Sequence, residues 1–555
     1  MDLYEVAWTI ATMVSRREPN EFKLIMDYRV PYPLVQYVGR PVSEHVLHIP
    51  TPEKLVPDEI GLSPLEVVRL RVFRACVAHE ACHIYLTDPL VYENPLVCSL
   101  PLTSFVSNLI EDCRVETFLA NKWPGLGRDI AFANAVAYLR LHPVNDMMDR
   151  HKRILLAVVM QTFCGNVKGV LPEDELADIK RICDIIKSIK WSSDAKSLLD
   201  AVEAICVIAN PEGERSDTNF VLPHNDGKRG WEFYRYMSNN VVPEDFDKTL
   251  WQVSTHMGLD RDFINTNKDD VAEAESIFHQ EEMSKKLTSR IEERLKSSPT
   301  RFRYVGFCPK DYCEYLRIRD TVIPLLKSVE NQLASIATED AEVPVQPSGF
   351  LDLTEAIQSI ASESPKTDVF TRWKIAERGS AWTILLDNSL SMVKNEYTIR
   401  EIAIIFGEVL KNICPQEWWA LYAFSDVFLV LKDFDERYDK NVVSRLGGIS
   451  CGGGTFLPDA VELALHSLMQ RPQSLKVMVI VSDGQPQGYP GIEDAMMEVM
   501  KRVERSGVIA IGIGLKCRGL DRYFRNWCYI NRVRDLPREF IRQYYGLVYA
   551  QTGMT

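Results

Sequence analysis

Positive charge is scarce in this chain. Its 64 Lys and Arg are outnumbered by 77 Asp and Glu, for a formal charge of −13. That balance argues against general nucleic-acid binding, which needs a basic footprint to neutralise phosphates. Long hydrophobic runs are missing too. The stretch from Ile154 to Phe163 falls far short of the roughly 20 residues a spanning helix needs, so no membrane role is expected. The amino terminus lacks both a basic leader and a small-residue cleavage site. Among 13 cysteines there is no C-x-x-C pair, and an odd, scattered set reads as reduced, small buried hydrophobes. A cytoplasmic protein is expected. The phosphate-cradling pattern G-x-x-x-x-G-K-[ST] is also absent, and the Gly-rich stretch at Gly452 lacks its lysine, so the chain promises no nucleotide hydrolysis of its own.

What is present suits a folded, multidomain protein. At 555 residues, with 46% hydrophobic and 25% charged, the chain is too long for one core and too apolar to be disordered. Three separated pieces near the carboxyl terminus carry the clearest chemistry. Asp387-Asn388-Ser389-Leu390-Ser391 follows the apolar run "AWTILL". Thr455 follows three glycines, and Asp483-Gly484 follows "VMVIVS". Both acidic motifs therefore sit where a buried parallel strand would end, the usual ligand position of an open α/β sheet. The segment around Ile399, Ile402, Ile405, Phe406, Val409 and Leu410 has helical spacing and should pack on that sheet, with Trp419 to Phe424 and Val508 to Ile513 as further strands. Two carboxylates and three hydroxyls are hard oxygen ligands, matched to Mg²⁺ or Mn²⁺. Taken singly, each piece is also compatible with a helix cap or a plain loop.

A second constellation lies near the amino terminus. His79-Glu80-Ala81-Cys82-His83 matches H-E-x-x-H on an expected helix that opens at Ser63-Pro64-Leu65-Glu66, with Ser63 as cap and Pro64 in the first turn. Val68, Val72, Ala75, Cys76, His79 and His83 share one face. Histidines four apart can offer two imidazoles to one Zn²⁺, with Glu80 beside them as the catalytic base that takes a proton from water. A third ligand is expected from "SFVSNLIEDCRVETFLANKW", where Asn108, Asp112 and Glu116 fall on one face. The pair resembles the gluzincin pattern, in which a carboxylate ligand on a second helix is followed four residues later by a group that orients a ligating histidine; the resemblance favours Asp112, backed by Glu116, with Glu111 as the alternative. A pair of core histidines beside a solvated acidic face is the plainer reading of the same residues.

The three carboxyl-terminal pieces resemble the metal-ion-dependent adhesion site of the von Willebrand factor A domain, D-x-S-x-S with T and D. The resemblance implies that Asp387, Ser389, Ser391, Thr455 and Asp483 hold the ion and that a partner's carboxylate completes its shell. "LLDNSLSM", "VSDGQPQG" and "NLIEDCRVE" resemble the von Willebrand A proteins that partner MoxR-type AAA+ ATPases. This implies a role coupling a hexameric ATPase to a client that is remodelled or loaded with metal. The expected organisation is a helical zincin-like domain over 1–165, a helical middle region over 166–345 and a doubly wound α/β von Willebrand A domain over 346–555. The segment from Thr338, "TEDAEVPVQPSG", has linker composition. Two functions follow from these residues: a zinc metallopeptidase with its own recognition module, or a non-catalytic ATPase adaptor with a structural zinc.

Overall fold

In the computed structural model the chain divides into two compact units, Met1–Lys285 and Lys286–Thr555. The structure describes residues 2–18, 21–26, 30, 32–38, 44–88, 101–191, 194–210, 241–260, 266–298, 300–346, 350–351, 357, 362, 370–377 and 379–552. The expected boundaries at 165/166 and 345/346 do not coincide with this division. Residues 166–285 belong to the first unit and residues 286–345 to the second.

The first unit is mostly helical. It opens with α1 (Leu3–Ser15), whose Asp2 and Glu5 form a reciprocal capping box. A small sheet follows, made of β1 (Phe22–Met26), β2 (Leu34–Val38) and β3 (Glu44–Ile49), in the order β1-β3-β2. Then come α2 (Pro52–Leu55), α3 (Leu65–Leu86), α4 (Pro101–Lys122), α5 (Pro124–Arg140), α6 (Arg150–Cys164), α7 (Glu173–Ile189), α8 (Ala195–Ala209), α9 (Phe246–His256) and α10 (Lys268–Lys296), whose residues after Lys285 belong to the second unit. The acidic stretch and the mixed-charge stretch of the middle region form one continuous helix, α10. Helix α3 packs against α1, α4 and α5, because its buried residues leave almost no polar side. Its first turn differs from expectation. Pro64 is the cap residue, in extended backbone, and Ser63 lies one position too early to reach the free N–H groups. On the same helix Arg71 and Arg74 both pair with buried Asp129 of α5, at 3.0 and 2.8 Å. One carboxylate thus faces two guanidiniums, and Glu273 supplies a second to Arg74 at 3.0 Å, so neither arginine is left uncompensated.

The second unit contains β4 (Val305–Phe307), α11 (Tyr312–Ala337), β5 (Thr338–Gln346), β6 (Phe350–Leu351), β7 (Phe370–Glu377), β8 (Ser380–Asp387), α12 (Glu396–Ile413), β9 (Trp419–Phe424), β10 (Phe428–Lys432), α13 (Lys440–Gly447), α14 (Leu457–Met469), β11 (Leu475–Ser482), α15 (Ile492–Arg505), β12 (Ile509–Leu515), β13 (Trp527–Ile530) and α16 (Leu536–Thr552). Seven strands form a sheet in the order β13-β12-β11-β8-β9-β10-β4. All neighbours are parallel except β9 and β10. The alternation of β8 fills both faces: Trp382, Ile384 and Leu386 enter one core with α12, and Ala381 and Leu385 enter another with α14. This is the doubly wound architecture expected from the sequence. Thr338–Gln346 is no linker. It is strand β5, antiparallel to β7. Its register shift spans Val343 to Gln346 and so includes Pro344, which has no N–H to give the ladder.

Candidate metal centres

In the first unit, α3 brings His79 and His83 to one face, and α4 lays Asp112 against them. The His83 Nε2 atom lies 3.1 Å from His79 Nε2 and 3.2 Å from Asp112 Oδ1, and His79 Nε2 lies 3.4 Å from the same oxygen. Ligands on a tetrahedral ion with bonds of about 2.0–2.1 Å are roughly 3.3 Å apart, so these three atoms have the spacing of one face of such a shell. All three side chains are nearly buried, and among the described residues no other His, Cys, Asp and Glu group converges in this way. Burial works against a charged His79, but the hydrogen bond and charge of Asp112, with Glu80 and Glu116, raise it to about 9. Burial would raise Asp112; the two histidines instead hold it well below the usual carboxylate range.

The second layer is equally specific. Glu116 Oε1 sits 3.8 Å from His79 Nδ1, while its other oxygen accepts from Asn134 Nδ2 at 2.7 Å. Burial pushes Glu116 up to about 7. Glu111 does not join the cluster. It turns to Arg114 and accepts the Thr87 hydroxyl at 2.9 Å, and Thr87 in turn lies 2.9 Å from His83 Nδ1. The structure thus brings together His79, His83 and Asp112, with Glu116 behind them, and separates Glu111. Glu80 is buried, raised by that burial, and its Oε1 has no hydrogen-bond partner among the described residues. It lines a pocket of about 30 Å³ with His79, Glu116, Cys76 and Asn134. Asp112 Oδ2 is likewise unpartnered. Buried carboxylate oxygens without protein partners beside two imidazoles fit a cation, and the N/N/O set suits Zn²⁺.

In the second unit, Asp387 closes β8 and Asp483 directly follows the neighbouring β11. Ser482 donates to Asp387 Oδ2 at 2.5 Å, and the Ser389 amide donates to Oδ1 at 2.9 Å. The Ser389 and Ser391 hydroxyls are 3.0 Å apart. Two backbone bonds tie the first loop to the glycine loop: Leu390 N to Gly453 O, 3.1 Å, and Gly452 N to Asn388 O, 2.8 Å. Thr455 is bridged to Gln487, beyond Asp483, by paired bonds of 2.8 and 3.1 Å. All five residues therefore lie on three mutually bonded loops at the carboxyl edge of the sheet. Asp387 is completely buried with only neutral hydrogen-bond partners. Burial, with the nearby charge of Asp483, pushes it up to about 6. A buried carboxylate without a cation is costly, and a hard divalent ion would relieve it, so the donor set fits Mg²⁺ or Mn²⁺.

Sequence reading missed Thr87, Arg114 and Asn134. Thr87 carries a usable signal: it lies four residues beyond His83, at the carboxyl-terminal cap of α3. Asn134 is brought to Glu116 only by the packing of α5 on α4.

No protein-family model matches the chain. It is 31% identical over 159 residues to an uncharacterized protein of Pseudomonas aeruginosa, covering 25% of each chain. It is 24% identical over 212 residues to protein NorD of Stutzerimonas stutzeri, covering 34% of each. The chain thus spans about a quarter to a third of the length of these curated relatives. Among solved structures, it aligns with the PilB minor pilin of Streptococcus sanguinis (14% identity, TM-score 0.26, 32% of this chain and 63% of that one). A von Willebrand factor type A protein from Catenulispora acidiphila also aligns (16% identity, TM-score 0.22, 31% and 43%). Over part of its length, the chain is similar to protein NorD.

Proposed function

We propose that this chain is a protein-binding adaptor that engages a partner carboxylate through a Mg²⁺ ion held by Asp387, Ser389, Ser391, Thr455 and Asp483. The reading is carried by one observation: three bonded loops converge at the sheet edge around a buried aspartate whose own partners are all neutral. The similarity to NorD supports a partner role, and the resemblance of the adhesion-site loops points to a hexameric MoxR-type AAA+ ATPase as that partner. When bound, the ion would supply an open coordination position for the carboxylate. The chain's residues supply the rest, by orienting oxygens and excluding water. The test is a pull-down of such an ATPase with and without Mg²⁺. Mg²⁺-dependent recovery that is lost in Asp387→Ala supports the reading; recovery unchanged by chelator overturns it.

A second reading is favoured by the first unit, where Glu80 Oε1 has no hydrogen-bond partner among the described residues, close to two imidazoles and a carboxylate. In it, the unit is a zinc hydrolase acting on peptide bonds. A Zn²⁺ on His79, His83 and Asp112 would polarise water and carbonyl, and Glu80 would hold the proton removed from that water. Metal analysis and a peptide-cleavage screen test it. About one zinc per chain, retained in Glu80→Gln while cleavage disappears, is expected. Cleavage undiminished in Glu80→Gln would exclude the hydrolase.

A further inference from the structure

We infer that Thr87 and Glu111, neither of which faces the metal position, fix the tautomer of His83 and thereby decide which of its nitrogens is offered to a metal. The inference rests on reading His79, His83 and Asp112 as a zinc site, and it concerns positioning residues.

The argument is a count of hydrogens. Glu111 is ion-paired with Arg114 through Oε1 and receives Thr87 at Oε2, 2.9 Å away. A carboxylate in that position only accepts, so the Thr87 hydroxyl donates. A hydroxyl has one hydrogen, so toward His83 Nδ1, at 2.9 Å, Thr87 is left with a lone pair alone. His83 Nδ1 must therefore carry the ring hydrogen. The neutral ring then keeps its lone pair on Nε2, the atom 3.1 Å from His79 Nε2 and 3.2 Å from Asp112 Oδ1. Were the hydrogen on Nε2 instead, it would point at Asp112 Oδ1, and the ring would block the site rather than complete it. Thr87 and Glu111 are 7% and 1% exposed, so water does not compete for these bonds. Arg114 anchors the far end, which makes the relay directional: guanidinium, carboxylate, hydroxyl, imidazole, metal position. Outer partners of ligating histidines typically contribute roughly 10–100-fold in metal affinity.

Thr87→Val removes the hydroxyl at nearly constant volume, and Thr87→Ser restores it. Zinc affinity is read by competition with a chromophoric chelator, and ligand geometry by the visible spectrum of the Co²⁺-loaded protein. The expected result is a loss of about 10–100-fold for Thr87→Val, with a changed Co²⁺ spectrum. Thr87→Ser should stay within about threefold of the parent, with the parent's spectrum. In the Thr87→Val background, Glu111→Ala should cost little further affinity, because Glu111 acts only through Thr87. Thermal melts of the metal-free variants establish that each is folded. Equal affinity and spectrum in parent and Thr87→Val would overturn the relay, as would equal losses in Val and Ser. Failure of the parent protein to bind zinc would instead overturn the underlying zinc reading.

Discussion

Asp387 and Asp112 are both buried carboxylates, yet their surroundings push them in opposite directions. Burial dominates at Asp387, whereas two imidazoles outweigh it at Asp112. The difference has a measurable consequence. Unfolded, Asp387 would titrate near its ordinary 3.8, and folded it titrates at about 6. The folded state thus holds this proton more tightly. The associated stability, on the order of 3 kcal/mol, is complete below about pH 4 and lost as pH rises through about 6. Mg²⁺ requires the ionised form, so it should restore more stability as pH rises. The Mg²⁺-induced rise in Tm is expected to be large near pH 7.5, small near pH 5, and absent at both in Asp387→Asn. At the other centre, Asp112→Asn should release zinc. Glu111→Gln should retain metal with weakened affinity, because Glu111 acts through Thr87; equilibrium dialysis with elemental analysis separates the two. The histidines and Asp112 were legible because helical spacing alone puts them on facing surfaces. Spacing favours Asp112, whose neighbour four residues on is Glu116, over Glu111, whose neighbour is Val115; what spacing does not give is the turn of Glu111 toward Arg114 and Thr87, which depends on what packs against it.

At the scale of elements, the loops hold the five candidate ligands and the strands aim them. Gly484 follows Asp483 at φ +78°, and a Cβ there would lie 2.4 Å from the backbone nitrogen of Leu520. Neither the conformation nor the contact can relax cheaply. Gly484→Ala should cost on the order of 1–3 kcal/mol and weaken Mg²⁺ binding, checked by denaturant melts and calorimetric titration. Strands β8, β9, β11 and β12 and helix α12 were readable because continuous apolar runs and 3.6-residue spacing leave little choice. The three-residue strand β4 left no pattern to read. Helix α11 was not assigned to the α/β unit because its contacts are remote in sequence: the Tyr315 hydroxyl donates to Glu408 at 2.5 Å, and Tyr438 donates to the same oxygen at 2.8 Å. Strand β5 has linker composition because its acidic and proline content masks a ladder that only its pairing with β7 reveals.

At the scale of the whole molecule, the α/β unit is larger than its motifs. Ile318 and Val322 of α11 are buried in the same core as α12 and β8. A fragment beginning at residue 346 would lose them, together with β4, and should be poorly folded, whereas 286–555 should unfold cooperatively in a calorimeter. Ile318→Ala in the full chain is expected to cost about 2–5 kcal/mol within that unit. Similar melting of the 346–555 and 286–555 fragments would show that α11 is dispensable. The placement of β4 has one more effect. Strand β10 would otherwise end the sheet with a row of open amide and carbonyl groups, the template on which one copy of a protein recruits another into aggregates. Val305 to Phe307 occupy that row. Residues that precede the motif-bearing segment therefore cover a flank on which a second chain could otherwise pair, at the edge of the sheet farthest from β13.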